Sequence, residues 1–213
     1  MNQTSQNQKT RLEVTDLSVS RGERLLIDGL SFTLKAGDTL WVAGSNGIGK
    51  TSLLKCIAGL LRPELGSVSW RGENIYKYPC TTTGYQGHHD GHKPNLTVLE
   101  NLQFWQSVFT SPLQPDELLA KTGLSEQANL RAKGLSAGQS RRLSLARLLM
   151  KQASLWILDE PAAAMDIIGC TLIHTLVAQH VAAGGCAIIA SHTPPEKIGR
   201  NTRVLTLNGA AHA

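Results

Sequence analysis

No stretch of this sequence stays apolar for the roughly 18 residues that a membrane-crossing helix needs. Its opening, MNQTSQNQKTRLEV, has no apolar centre of the kind an export signal carries. These two absences predict a chain that stays in the cytosol, free to dock on something that spans a membrane. Cysteine is sparse: Cys56, Cys80, Cys170 and Cys186 stand apart with no CxxC, which argues against a disulfide framework or a thiolate zinc site and reads them as small hydrophobes. Charge runs are missing too. The net charge is +5 and the pI about 9.2, a balance that permits nucleic acid or acidic lipid as a partner. The charges are nevertheless dispersed, and the local pair Arg141 and Arg142 reads as solvated surface. There is no internal repeat, and no low-complexity tract beyond the polar first nine residues, for which disorder is expected.

What is present, in 213 residues, is enough for one domain with a substantial core. The short apolar runs LEVTDLSV, LSFTL, DTLWVAG, SLWILDE and GCAIIAS alternate with the helical patterns KTSLLKCIAGLL and GQSRRLSLARLLMKQ. That alternation predicts a buried parallel sheet of the α/β kind. Residues 97–152 break the rhythm with helical periodicity and turn signals at SPLQP and TGLSEQ, so a helical insertion between two core strands is expected.

GSNGIGKT, at residues 44–51, matches G-x-x-x-x-G-K-[ST] at every position, after an apolar strand and before a helix. Gly44, Ser45, Asn46, Gly47, Ile48 and Gly49 would turn successive backbone N–H groups toward phosphate oxygens, and the helix N-terminus, with Ser52 in its first turn, adds partial positive charge. Lys50 would reach the β and γ phosphates of a nucleoside triphosphate, and the Thr51 hydroxyl would hold Mg²⁺. Further on, LWILDE supplies a strand ending in two carboxylates. Asp159 suits the Mg²⁺ sphere, and Glu160 suits polarisation of the water that attacks the γ phosphate.

Between these motifs lies LSAGQSRRLSLARLL, and with it the chain resembles the ATP-binding cassette family, whose signature reads LSGGQ. The resemblance covers residues 11–207, between short tails at 1–10 and 208–213, and leaves no room for a regulatory extension. It implies a P-loop NTPase (RecA-like) α/β core with a parallel sheet, an N-terminal antiparallel portion and a helical subdomain at about 92–152. ATP and Mg²⁺ would be the cofactors. Ser136, Ala137, Gly138 and Gln139 would form an anion site facing the γ phosphate held by a second copy of the chain, Ala137 standing where the family has glycine. His192, in ASHTPPE, falls at the family's γ-phosphate histidine, and Asp166 is retained in EPAAAMD although Ala163 stands where a serine is usual. Arg21 occupies the position where an aromatic ring is expected on adenine, leaving guanidinium stacking as the alternative.

HHDGH, at residues 88–92, invites a metal or haem reading, but Gly87, Gly91 and Pro94 argue for a loop. The resemblance offers another: a loop sensing Mg²⁺ and the γ phosphate and touching the membrane partner, with His88 in the place of a glutamine. Gln86 lies two residues earlier and is the alternative for that role. The loop, the signature and the missing adenine aromatic together resemble the branch of the family that provides ATP-binding subunits for cytochrome c maturation. That implies integral membrane subunits as partners, an ATP-sandwich homodimer at the cytoplasmic face of a bacterial inner membrane, and haem export or release of a haem chaperone as the work served; no nucleic acid is expected. The rival readings are a soluble cassette ATPase on nucleic acid or ribosomes, a motor for another small-molecule exporter, and a switch that does not hydrolyse; Glu160 disfavours the last.

Overall fold

The computed structural model describes residues 10–77, 83–192 and 201–208. Cys80 and the first nine residues, on which two of the readings above fall, lie outside the described residues. Strands β1 (Thr10–Arg21) and β2 (Arg24–Lys35) form a hairpin, and β4 (Leu65–Trp70) and β5 (Glu73–Asn74) extend it into an antiparallel sheet of order β2-β1-β4-β5. The second sheet is parallel throughout. Its order is β6-β7-β8-β3-β9, built from β3 (Asp38–Ala43), β6 (Thr83–Gln86), β7 (Leu155–Asp159), β8 (Cys186–Ala190) and β9 (Asn201–Thr206).

Every residue of β7 and β8 is buried, which is why both read as continuous apolar runs rather than alternating ones. The two-residue side-chain period then sorts them between two cores. Leu40, Val42, Ile157 and Ile188 face helix α1 (Lys50–Ile57) and the antiparallel sheet, where they meet Leu12, Leu34, Leu53 and Leu54. Trp41, Trp156, Leu158 and Ile189 face helix α5 (Ile167–Ala182), packing on Ile173 and Val177.

The helical insertion has its own core. Helices α2 (Val98–Phe109), α3 (Pro115–Thr122) and α4 (Ala137–Lys151) bury Val98, Leu102, Leu118, Leu119, Leu143, Ala146 and Met150 together. Leu145 and Leu148, on another face of α4, join the core beneath the parallel sheet instead, so α4 belongs to both parts. Gly84 of β6 permits this approach: a Cβ there would lie 2.3 Å from Leu148 Cδ1. At the seam, a cavity of about 440 Å³ is lined by Gly59 and Ile75 from the core and by Trp105, Phe109 and Arg147 from the helices. No helix among the described residues is long and apolar enough to cross a membrane.

Candidate nucleotide-binding site

The loop between β3 and α1 turns through three glycines with positive φ: Gly44 (149°), Gly47 (75°) and Gly49 (118°). Gly49 sits directly before Lys50 and is tightly held, since a Cβ there would lie 3.2 Å from Leu26 Cβ. Lys50 is 7% exposed, and its Nζ donates to the carbonyls of Gly44 (2.7 Å) and Ser45 (3.2 Å), curling over its own loop. An ammonium has three donors, so one remains for a phosphate oxygen. Thr51 Oγ1 donates to Asp159 Oδ2 at 2.8 Å. These two oxygens, brought together across 108 residues of chain, are hard donors of the kind Mg²⁺ prefers.

A cavity of about 570 Å³ is lined by Arg21, Arg24, Leu26, Ser45, Asn46, Gly47, Gly49, Lys50, Thr51, Ser52, His88, Asp159, Glu160 and His192. It therefore unites the glycine loop, the end of β7, the end of β8 and the HHDGH loop. Glu160 follows β7 in a left-handed conformation (φ 49°) with its N–H donating to Ala190 O at 2.9 Å. Its Oε1 is buried without a hydrogen bond, and His192 Nε2 lies 3.3 Å away. With the His192 imidazole on one side, the carboxylate still keeps lone pairs that can accept from a water molecule.

Of the two residues weighed for the sensing loop, His88 lines this cavity. Gln86 ends β6 with its side chain buried and its Nε2 donating to Arg141 O at 3.5 Å. The rest of HHDGH disperses. His89 is exposed, Asp90 pairs with Arg141 at 3.0 Å, and His92 Nε2 lies 2.8 Å from Ser140 O. Burial works against the Asp90 carboxylate, but hydrogen bonds from Ser140 and Arg141 outweigh it and hold its pKa below the ordinary value. Among the described residues, no three His, Cys, Asp or Glu side chains converge as a metal site. Cys56 and Cys186 are buried, and burial pushes both thiols up to about 11.

The reading of Arg141 and Arg142 as a solvated pair needs correction. Arg141 is 4% exposed and turned into the protein, where its guanidinium is enclosed by carbonyls of the loop after β6 and of the end of β7. Consecutive helical residues point about 100° apart, so one of an adjacent pair can be buried while the other stays near the surface. Arg142 is the outer one, 3.1 Å from Asp166.

A second cavity, about 680 Å³, opens at the start of α4 and is lined by Ser136, Ala137, Gly138, Gln139, Arg142 and Asp166, among others. Ser136 caps α4 and Gln139 closes a reciprocal capping box, with bonds of 3.2 and 2.9 Å. Gly138 lets the helix start press on the loop before α5: a Cβ there would meet Ala164 O at 3.1 Å. Asp166 caps α5 through Gly169 N–H at 2.7 Å. The structure thus places Asp166 with the signature residues, away from the glycine-loop cavity. Arg24 and Leu26, in the glycine-loop cavity, were not singled out in the sequence; their signal is the two-residue turn that sets Arg24 opposite Arg21 in the hairpin.

The family model for ABC transporters matches residues 27–163. The cytochrome c biogenesis ATP-binding export protein CcmA of Rhodopseudomonas palustris is 42% identical over 204 residues, covering 94% of this chain and all of that one. The protein of the same name from Nitrosococcus oceani is 45% identical over 185 residues, 85% and 86% of the two chains. Among solved structures, the dimeric post-hydrolysis state of the ATP-binding cassette MJ0796 bound to ADP and Pi superposes with a TM-score of 0.81 at 20% identity, covering 92% of this chain and 96% of that one, a likeness of fold. With a glycine-loop cavity, a signature cavity and a helical insertion in one P-loop NTPase fold, this chain belongs to the ABC transporter family of ATP-hydrolysing cassettes.

Proposed function

We propose that this chain is the ATP-hydrolysing motor subunit of an exporter complex for c-type cytochrome biogenesis. It works as a pair of copies bound to integral membrane subunits, at the cytoplasmic face of a bacterial inner membrane. The observation that carries the reading is the gathering of Lys50, Thr51, Asp159, Glu160, His88 and His192 around one cavity. The export and cytochrome c biogenesis in the relatives' names support the process served, within which the work proposed is haem export or release of a haem chaperone.

The amides of residues 44–51 and Lys50 bind the triphosphate, and two arginines at the cavity mouth add positive charge. Thr51 and Asp159 would hold Mg²⁺, which when bound neutralises charge on the β and γ phosphates. Glu160 Oε1 accepts a hydrogen from the attacking water and aligns it with the γ phosphorus. His192, beside Glu160, donates to the γ phosphate, and His88 reaches the phosphates from the opposite loop. Ser136 and the first amides of α4 present the anion site that a second copy's γ phosphate would enter.

Glu160→Gln tests this. ATP affinity is expected to stay within about threefold while turnover falls by at least about a hundredfold, the scale of losing an aligning group. Full turnover in the variant removes Glu160 from its role. Wild-type chain that neither hydrolyses ATP nor co-purifies with membrane subunits from detergent-solubilised membranes overturns the motor reading.

A further inference from the structure

Arg141 makes five hydrogen bonds with one planar group. Nη1 donates to Gly87 O (2.7 Å), His88 O (3.3 Å) and Asp90 Oδ1 (3.0 Å), while Nη2 donates to Asp159 O (3.1 Å) and Glu160 O (2.8 Å). Four of these acceptors are backbone carbonyls, and they lie in the two loops that bring His88 and Glu160 to the cavity. Had the guanidinium served burial alone, a well-packed apolar side chain of similar volume would do as well, because a buried charge is costly to desolvate. A fork with donors fixed in one plane does something an apolar group cannot: it sets the distance between two chain segments.

The Glu160 peptide shows what that distance governs. Its φ of 49° is one that non-glycine residues seldom adopt, and its N–H and C=O are fastened at both ends, to Ala190 O and to Arg141. Fixing both ends fixes the direction of the side chain between them. The root of the fork is helix α4, which is shared by the core and the helical insertion.

We infer that Arg141 is a positioning residue for hydrolysis: its guanidinium joins the sensing loop to the end of β7, so that a tilt of α4 moves His88 and Glu160 together. It touches no phosphate and acts through those two residues. This deepens the reading of Glu160 as the group that aligns water, and rests on it.

The test compares Arg141→Met and Arg141→Lys in the full chain. Lysine keeps a positive charge beside Asp90 but cannot fork across both loops. For either variant kcat should fall about ten- to a hundredfold, the scale of a small misplacement of a reacting group, while KM for MgATP stays within threefold and the melting curve stays cooperative. In single-turnover assays with radiolabelled ATP, Arg141→Met should cost little further once Glu160 is already Gln, because residues acting through one another are not additive. Wild-type kcat in Arg141→Lys, or an equal further loss in the Glu160→Gln background, overturns the inference. So does failure of both variants to fold, which would make Arg141 a scaffold residue. If Glu160→Gln itself turns over normally, the earlier reading has failed; if it is inactive and the Arg141 variants match wild type, this inference alone has failed.

Discussion

Glu160 takes a backbone conformation that suits glycine better than glutamate, at a cost of order 1–3 kcal/mol. The bonds to Ala190 O and from Arg141 offset that cost, and Oε1 lies buried beside the cavity, 3.3 Å from His192 Nε2. On the other side of the cavity, Arg21 and Arg24 face each other across the hairpin end, and Leu26 lies against Gly49. Among the described residues, no aromatic ring lines this cavity apart from the imidazoles of His88 and His192. A guanidinium can stack on any base, so under the proposed function affinity would come mainly from the triphosphate that ATP and GTP share, and the base would be poorly discriminated. Their affinities, measured by displacement of a fluorescent nucleotide, should agree within about tenfold; a preference above about a hundredfold, about 2.7 kcal/mol, would mean that some group reads the base.

Helix α5 is fastened to the sheet by a stacked pair, the His180 ring lying 4.1 Å from that of Trp156 with 7° between planes and Nε2 3.2 Å from Cys186 O. Burial depresses the His180 pKa below its ordinary value of 6.5, outweighing the hydrogen bonds to Cys186 and Ser154. Below about pH 6.5 the unfolded chain therefore binds a proton that the folded chain resists, and stability falls as pH drops through that value. The melting temperature should be lower at pH 5.5 than at pH 7.5, and His180→Phe, which keeps the stack without the charge, should narrow the gap. An unchanged gap would assign the pH effect to other groups. Elements like these differ in how far the sequence announces them. β7, β8 and the loop before α1 are legible because burial and glycine geometry act locally, and each leaves a continuous apolar run or a fixed spacing. β6 has four residues, too few to display a period, and its pairing with β7 decides it. Arg141 was misread because its acceptors come from two distant segments, so neighbouring residues carry no trace of where it points.

At the scale of the molecule, the two cavities have no lining residue in common among the described residues. One holds the glycine loop and Glu160; the other holds the signature, so under the proposed function two copies would together complete each site. Gly138→Asp places a carboxylate at the start of α4, where a phosphate of the second copy would sit and where Ala164 O leaves 3.1 Å for a Cβ. Nucleotide affinity should remain within about threefold, since the glycine-loop cavity is untouched, while ATPase activity falls at least about tenfold. In the Glu160→Gln background, light scattering should show ATP raising the mass from 23.0 kDa to twice that value, and Gly138→Asp should prevent it. Retained activity in Gly138→Asp would remove the signature cavity from the cycle. The placement of the tryptophans bears on how such a cycle can be watched. Trp41, Trp70 and Trp156 are buried within the cores, whereas Trp105 stands at the seam between core and helical insertion, stacked on Phe109 and beneath the Arg147 guanidinium. Three of the four indoles thus sit away from that seam, and Trp105 gives the protein a native optical probe at the joint where its two parts meet.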